Sequence, residues 1–386
     1  MKKLIIADSS HPLVRENRCF APSSEFIGCG TAIHVRLARE AQRRGLEVIT
    51  ADVYLQLTER PAQAVCLTDM FTPSTDKLLA DGVQPAVCMS LESPLVAKRF
   101  YHNIARYAGR FHHNFQFRGT QERLAGTGTI FHPIVFPVET RVSLTPQSWD
   151  KRDYLIMVNS NKRAVFKKMG NIKEIARSTF SQVYFIALKI IDPWMRIREI
   201  YADRIEAIYH FSSHSDFSLY GIGWEHPIQG FGSDYHKAAL KVYKGSIPSD
   251  VRRKREVMNL FKFALCYENC AFPGYVTEKI FDCFLAGCIP VYFGAPDITD
   301  FVPPQAFVDY RQFGNYADLD QFLREMTESN ARIYLDAARE FLASSAFDKF
   351  TVDYFVNDIL SVMEQEFDGE SSNKNSFNHR RRFVVD

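Results

Sequence analysis

The sequence has 386 residues, of which 46% are hydrophobic and 24% are charged, as in an ordinary globular protein. Its 47 basic and 45 acidic residues leave a net charge of +2, so no broad positive surface is available to attract a nucleic acid backbone. We therefore expect no nucleic acid partner, and we expect any charged ligand to be bound by local groups. At roughly 150 residues per domain, the length predicts two domains.

Apolar runs of the length that membranes require do not occur in the sequence. At the start only Leu4–Ala7 form an apolar run, whereas a signal peptide needs roughly 7 to 15 apolar residues and a membrane span roughly 18. This predicts a cytoplasmic protein without a membrane anchor. The polar tail 369–386 ends in HRRRFVVD. We expect it to be disordered in solvent, with weak peripheral contact to the inner membrane face as the alternative.

Cysteine and histidine spacing gives no metal-site pattern. Eight cysteines lie mostly within apolar runs and form no C-x-x-C pair. This argues against structural zinc and against a disulfide framework, and it favours reduced, buried thiols. His112 and His113 are adjacent, which would point their rings apart on a strand, so we expect no metal ion there.

Short apolar runs and amphipathic segments alternate through the first hundred residues. Strands are predicted at 4–7, 46–52, 64–69 and 86–92, and helices at 31–44, 75–82 and 94–107. This alternation predicts a doubly wound, mostly parallel α/β sheet.

A polar, proline-bearing stretch at 137–153 separates this part from a second one with the same alternation. There, strands are predicted at 154–159, 216–220, 261–267 and 289–293, and helices near 172–180, 189–211, 277–286, 316–328, 331–344 and 351–365. We therefore predict two similar α/β domains, residues 1–150 and 151–368, facing a cleft, followed by the tail.

The segment CYENCAFPGYVTEKIFDCFLAGCIPVYFG at 266–294 places Lys279 in the first turn of a predicted helix. Thr277 suits its N-cap, and Gly287 suits a left-handed end. The free amides and partial positive charge of a helix amino end repel a lysine unless an anion fills the space. Ligands of open α/β sheets bind outside the carboxyl ends of strands, beside helix amino ends, so the segment suggests a phosphate-bearing ligand. A lysine that bends out into water is the alternative.

Residues 267–294, followed by FVPPQAFVDYRQF at 301–313, resemble the donor-binding signature of the α-1,3/4-fucosyltransferases. That signature reads F-E-N-[ST], then [DG]-Y-V-T-E-K, a helix, an [IV]-P-V strand ending in Gly, and P-x-x-[AS]-F-[IV]. The resemblance implies the GT-B fold, in which two Rossmann-like, doubly wound domains face a central cleft and the second binds most of the sugar nucleotide. It implies GDP-fucose as donor, and the absence of an anchor suggests a bacterial-type enzyme.

The resemblance assigns donor binding to six residues of this segment, with Lys279 on the diphosphate: Glu268, Asn269, Gly274, Tyr275, Thr277 and Glu278. Asn269 and Tyr275 would contact the nucleotide, Glu278 the ribose, and Glu268 would lie near the donor sugar. Each also has an ordinary structural interpretation. Tyr275 would serve as a packed aromatic, Glu278 as a helix-start carboxylate and Asn269 as a turn former.

The family also carries an arginine after the first strand of its second domain, in the pattern R-x-x-[FY]. Here Arg163, with Phe166 three residues on, fits that pattern, and Lys162 is a competitor. A planar guanidinium favours Arg163 because it binds phosphate oxygens at two points. The alternative is a solvated basic cluster with Lys167 and Lys168.

The stretch CMSLESP at 88–94 resembles the short E-[SN]-P element that carries the family's general base. Glu92 follows an apolar strand and would stand at its carboxyl end. Partial burial there would raise its pKa from about 4.3 toward the range useful for proton abstraction. The alternative is a surface or capping carboxylate.

The resemblance implies a single displacement with inversion. Glu92 would take the proton of an acceptor hydroxyl as its oxygen attacks the anomeric carbon of GDP-fucose, with an α-1,3 linkage to a GlcNAc- or Glc-type sugar expected. Arg163, Lys279 and the helix end would stabilise the leaving diphosphate. No metal cofactor is then required, although Mn²⁺ or Mg²⁺ could stimulate. The D-x-D at 318–320 lies in a predicted helix and is interpreted as surface charge.

Two other functions stay open at this point. The motif concerns nucleotide and phosphates more than the sugar, so a GT-B transferase that uses another GDP-sugar fits the same residues. A non-catalytic carbohydrate-binding protein of the same fold is the second alternative. For the enzyme, the missing anchor suggests acceptors among glycolipid or lipopolysaccharide precursors, and the sequence leaves the oligomeric state open.

Overall fold

The structure is a computed structural model that describes residues 3–9, 11–21, 29–140, 144–161, 191–192, 194, 196–247 and 250–369. Two parallel sheets organise this part of the chain. Among the helices described, none combines the length and the apolar character needed to cross a bilayer.

The first sheet has six strands in the order β2-β1-β3-β4-β5-β6, and every neighbouring pair is parallel. Its strands are β1 (Lys3–Ser9), β2 (Leu46–Thr50), β3 (Gln63–Asp69), β4 (Gln84–Met89), β5 (His113–Phe117) and β6 (Ile130–Ile134). The helices of this part are α1 (Cys29–Arg43), α2 (Ala51–Leu55), α3 (Pro73–Ala80), α4 (Lys98–His102), α5 (Ile104–Ala108) and α6 (Gln121–Leu124). The central strands are buried over nearly their whole length, as in parallel sheets covered on both faces.

The second sheet has five parallel strands in the order β13-β12-β10-β7-β9. They are β7 (Asp153–Val158), β9 (Phe217–Tyr220), β10 (Phe261–Tyr267), β12 (Ile289–Phe293) and β13 (Val308–Asp309). A separate antiparallel pair joins β8 (Arg198–Glu199) to β11 (Cys270–Ala271). The helices are α7 (Tyr201–Phe211), α8 (Ser233–Val242), α9 (Val251–Met258), α10 (Glu278–Ala286), α11 (Tyr316–Glu325), α12 (Glu328–Ala343), α13 (Ser345–Asp348) and α14 (Val352–Asp368).

The predicted fold class, α/β with two Rossmann-like, doubly wound parallel sheets, is confirmed. Three element predictions need correction. The strand predicted at 86–92 ends at Met89, so Glu92 lies beyond it. The helix predicted at 94–107 is interrupted at Asn103, whose backbone is not helical. Of the helix predicted at 189–211, Tyr201–Phe211 is helical in the structure, whereas Arg198 and Glu199 pair with β11 instead. The helix predicted at 172–180 lies outside the described residues.

Helix α14 follows the second unit in sequence but packs on the first sheet. Its apolar face, including Phe355 and Ile359, shares a core cluster with Ile5 and Val65. Charged groups border this contact, and Arg44 Nη1 lies 2.9 Å from Glu364 Oε2. The chain therefore returns to its first unit before it ends.

The two units touch where the carboxyl ends of their strands meet. Gly119, just after β5, donates its N–H to the carbonyl of Pro273 at 3.0 Å. The ring of Phe117 meets that of Tyr275 edge-on, with 5.1 Å between centroids. Ligands of open α/β sheets bind at such carboxyl edges, and here the two edges adjoin.

Gly274 allows this close approach. Its φ is +77°, and a Cβ built on it would lie 2.9 Å from the backbone nitrogen of Arg118. Any other residue would therefore meet both backbone strain and a steric clash. The glycine of the predicted donor segment thus forms the contact between the units.

Candidate active site

Strand β10 and helix α10 bring the predicted donor segment together. Thr277 precedes the helix in an extended conformation, and Gly287 ends it with φ of 70° in the left-handed region. Both features confirm the helix predicted for 277–286. Ile280, Phe281 and Phe284 are buried in the core beneath the sheet, which fixes the direction of the helix amino end.

Glu268 occupies the space in front of that amino end. It is fully buried, and its Oε1 accepts hydrogen bonds from the backbone N–H and the hydroxyl of Thr277, each at 2.8 Å. Its Oε2 lies 2.9 Å from Nζ of Lys279. An anion does balance the lysine in the first turn, and in this structure it is a carboxylate of the chain itself.

Lys279 is therefore held over the site and does not bend out into water. Its side chain is 18% exposed, and Nζ also donates to the hydroxyl of Thr277 at 2.9 Å. Burial lowers the pKa of Lys279, but the carboxylates of Glu268 and Glu278 raise it by more, so the ammonium stays charged. Burial likewise raises the pKa of Glu278, while Lys279 and Lys254 lower it below its ordinary value.

Asn269 and Tyr275 face each other across the loop between β10 and α10. Asn269 Nδ2 donates to the hydroxyl oxygen of Tyr275 at 3.2 Å. The Oδ1 atom of Asn269 accepts from Nη2 of Arg204 at 2.9 Å, and the same nitrogen donates to the carbonyl of Tyr267 at 2.7 Å. Arg204 escaped the sequence analysis, although its place beside Ile205 and Ile208 on a helix that faces the core is unusual for an arginine.

Glu92 comes to the same region from the first unit. Its backbone carbonyl accepts from the hydroxyl of Tyr101 at 2.8 Å. Burial raises the pKa of Tyr275, and the negative charges of Glu268, Glu278 and Glu92 raise it further. Carboxylates of both units therefore raise the pKa of the Tyr275 phenol. The partial burial expected for Glu92 is wrong, because the residue lies past the end of β4 and is exposed.

A buried carboxyl group lies at the end of the neighbouring strand. Asp69 ends β3, and its Oδ2 accepts from the hydroxyl of Ser9 at 3.2 Å. Burial raises the pKa of Asp69 to about 7, with further contributions from the charges of Glu92 and Asp8. The sequence analysis missed this residue, although Asp69 ends the apolar run AVCLTD at 64–69, where a strand-end carboxylate could have been noted.

The predicted phosphate-binding Arg163 lies outside the described residues, together with Lys162 and Phe166. The same R-x-x-[FY] spacing occurs again at Arg198 and Tyr201, which the sequence analysis did not consider. The guanidinium of Arg198 lies 4.9 Å from the ring centre of Phe293, the last residue of β12, and Nη2 lies 3.0 Å from Oδ1 of Asp203. Arg198 is therefore a second candidate at the carboxyl edge of the sheet.

Two smaller predictions about polar side chains are wrong. Asp320 of the D-x-D is buried, since its carboxylate accepts from the hydroxyl of Tyr154 at 2.7 Å and from Arg324 at 3.0 Å. The rings of His112 and His113 do not point apart, because both reach the carboxylate of Glu366, at 2.8 and 3.0 Å. His112 precedes β5, so the alternation expected on a strand does not apply to this pair.

In the part of the chain that the structure describes, no group of three or more His, Cys, Asp or Glu side chains is arranged to hold a metal ion. The seven cysteines whose side chains are described are free and buried.

The similarity of this chain to known proteins includes the same segment. Residues 201–338 match the family described as "Glycosyltransferase family 10 (fucosyltransferase) C-term". An α-(1,3)-fucosyltransferase of Helicobacter pylori is 33% identical over 115 residues, which cover 30% of this chain and 22% of that protein. An α-(1,4)-fucosyltransferase of Arabidopsis thaliana is 41% identical over 69 residues, 18% of this chain and 17% of that protein. The matches thus span about a fifth of the length of these relatives.

Among solved structures, a crystal structure of an α1,3-fucosyltransferase aligns over 95% of this chain and 90% of its own, with 14% identity and a TM-score of 0.49. The family match contains the whole signature at 267–313. The resemblance found in the sequence is therefore confirmed, and residues 201–338 are similar to the C-terminal part of glycosyltransferase family 10, the fucosyltransferase family.

Proposed function

We propose that the chain is an inverting glycosyltransferase that moves L-fucose from GDP-fucose to a hydroxyl of a glycan acceptor. One observation carries the proposal. Within a family 10 domain, Lys279 and the amino end of α10 are fixed at the carboxyl edge of a parallel sheet, beside Asn269 and Tyr275. This is a position where a diphosphate binds well.

Lys279 has the capacity to bind the donor without giving up its present contacts. An ammonium group has three N–H donors, and Glu268 and Thr277 receive two of them. The third is directed to an oxygen of the diphosphate, together with free amides of the first helical turn. Tyr275, Asn269 and Glu278 then bind the nucleoside part, and Glu268 keeps the lysine in place.

Glu92 serves as the general base in this mechanism. It accepts the proton of the acceptor hydroxyl while that oxygen forms a bond to the anomeric carbon of fucose, and the bond from that carbon to GDP breaks. The electron pair leaves with the diphosphate, where Lys279 and an arginine, Arg163 or Arg198, stabilise the new charge. An exposed carboxylate between the two units is accessible to an acceptor sugar.

The acceptor and the linkage are a finer part of the proposal. Relatives are named α-(1,3)- and α-(1,4)-fucosyltransferases, and one from Xenopus laevis, 30% identical over 80 residues, is named a GDP-fucose protein O-fucosyltransferase. We propose an α-1,3 linkage to a GlcNAc- or Glc-type sugar of a glycolipid or lipopolysaccharide precursor, with no metal ion taking part in the chemistry.

A GDP-release assay tests this function directly. GDP-fucose and GDP-mannose are offered with a panel of galactose- and GlcNAc-containing oligosaccharides, without metal and then with Mn²⁺. We expect turnover with GDP-fucose and one class of acceptor. Turnover with another GDP-sugar alone would favour the rival transferase, and GDP binding in calorimetry without turnover on any acceptor would favour a carbohydrate-binding protein.

A further inference from the structure

A buried arginine lies directly beneath the loop proposed to bind the nucleotide. Arg204 is 4% exposed, and its guanidinium lies 4.9 Å from the ring centre of Tyr201. Burial lowers its pKa, and the negative charge of Glu268 opposes this effect. Its Nε is also buried and has no hydrogen-bond partner among the described residues. Such an arginine is costly to bury, so its contacts need an explanation.

The contact with Asn269 fixes which way the amide group points. A guanidinium has only N–H donors, so the atom of Asn269 that lies 2.9 Å from Nη2 is the oxygen Oδ1. The amide nitrogen Nδ2 must then face Tyr275, whose hydroxyl oxygen lies 3.2 Å away. Without the arginine the amide could turn over and present its oxygen to the tyrosine.

The orientation of the amide decides what Tyr275 can do. Because Nδ2 is a donor, the hydroxyl oxygen of Tyr275 accepts this bond, and the hydroxyl hydrogen stays available for another partner. The ring itself is held edge-on against Phe117 and is 3% exposed. The tyrosine is thus set as a hydrogen-bond donor in a fixed place.

We propose that Arg204 is a positioning residue that holds the Asn269 amide in one orientation and thereby directs the Tyr275 hydroxyl hydrogen toward an oxygen of the bound nucleotide. The identity of this ligand as GDP rests on the proposed function. The orientation of Asn269 and Tyr275 does not, because it follows from the contacts among the three side chains.

The main rival explanation is that Arg204 only supports the loop through its bond to the carbonyl of Tyr267. Arg152 provides a matched control for that role. It too is a buried arginine of the second unit, and among the described residues its guanidinium donates only to backbone carbonyls, those of Gln147 at 2.6 and 2.9 Å and that of Gly287. It lies before β7, at the opposite end of the sheet from Glu268.

The substitution Asn269→Asp separates the two explanations without disturbing the packing. It keeps the oxygen that contacts Arg204 but replaces the donor that faces Tyr275 with an acceptor, so the tyrosine must give its hydrogen to this side chain. We expect the affinity for GDP to fall by about tenfold, as for the loss of one hydrogen bond to a charged group. In the Tyr275→Phe background the same substitution should have no further effect. If the additional negative charge alone weakened binding, the fall would persist in that background and the inference would be wrong.

A second experiment does not need GDP. The side-chain amide resonance of Asn269 is identified by its loss in Asn269→Ala, and its hydrogen exchange is measured in the wild type, Arg204→Met and Arg152→Met. We expect the exchange to become faster in Arg204→Met and to stay the same in Arg152→Met, with thermal melting as the check that each variant is folded. If the Asn269 side-chain amide of folded Arg204→Met exchanges at the wild-type rate, the inference is overturned. Should the wild type fail to bind GDP, the proposed function falls, and this experiment still decides the role of Arg204.

Discussion

The ammonium of Lys279 lies 2.9 Å from a carboxylate oxygen of Glu268, and this pair closes the amino end of α10. Glu268 is fully buried at the end of β10, so the strand and the helix are joined by one ion pair at the edge of the sheet. The two residues are eleven positions apart in sequence. Loss of this ion pair should therefore lower both the stability of the protein and its affinity for an anion.

Replacing Lys279 by methionine should impair both stability and binding. Removal of one partner leaves Glu268 buried and unpaired, at a cost of about 3 kcal/mol. The affinity for GDP should fall by about tenfold or more, as measured by calorimetry. The control is Lys254→Met, which breaks the ion pair with Asp282 (2.7 Å) on the same helix and leaves that carboxylate paired with Arg255 at 2.9 Å. Equal affinities of the two folded variants for GDP would contradict the role of Lys279.

Replacing Glu92 by glutamine should remove turnover and keep donor binding. Loss of a general base lowers the rate by about 10²- to 10⁴-fold, because the acceptor hydroxyl keeps its proton. Glu122→Gln, at an exposed carboxylate on α6, is the matched control and should leave the rate unchanged. Wild-type turnover in Glu92→Gln would mean that another residue is the general base.

Asp69 should make stability depend on pH. Burial raises its pKa from the ordinary 3.8 to about 7, so between these values the folded protein holds a proton that the unfolded chain releases. The contribution of Asp69 to stability is therefore present at low pH and is lost as the pH rises through about 7. As the pH rises from 5 to 8, the melting temperature of Asp69→Asn should therefore rise relative to that of the wild type. A difference that stays constant over this range would contradict a buried, protonated carboxyl group.

Arg198 and Arg163 make distinguishable predictions for the diphosphate. Arg198 has the R-x-x-[FY] spacing and lies at the carboxyl edge of the sheet, so we expect Arg198→Met to weaken GDP binding by about tenfold. Guanosine, which has no phosphate, should bind the wild type and Arg198→Met with equal affinity. If Arg163→Met shows this pattern and Arg198→Met does not, the assignment made from the sequence stands.

The contact between the units can be tested at Gly274. Its replacement by alanine introduces backbone strain at φ +77° and a clash with the backbone of Arg118. Gly126→Ala has the same strain, at φ +78°, but its Cβ meets nothing within 4 Å. We expect Gly274→Ala to cost about 1–3 kcal/mol more than Gly126→Ala, seen as a larger fall in melting temperature. Equal falls in melting temperature would mean that the close approach to Arg118 adds nothing to the cost of the substitution.

Local signals explain which parts of the fold could be predicted from sequence. Strands β10 and β12 and helix α10 were predicted because continuous apolar runs and a threonine and a glycine at the helix ends are properties of the segment itself. Strand β8 has two residues and exists only through its pairing with β11, so no pattern along the chain could indicate it.

The same limit applies to the candidate site. The motif predicted Lys279 near an anion, but the partner carboxylate and the orientation of Asn269 by Arg204 depend on three elements meeting in space. The expected burial of Glu92 was wrong for a related reason. The end of β4 is set by its register with β5, which the composition of 86–92 does not reveal.

The return of α14 to the first sheet limits how the polypeptide can be divided. Helix residues such as Phe355 and Ile359 cover apolar side chains of the first sheet, including Ile5 and Val65. A fragment that stops near residue 350 would expose that surface to water, and a fragment that begins near residue 151 would carry a helix with nothing to cover. The two units therefore depend on each other for folding, and each is best studied within the whole chain.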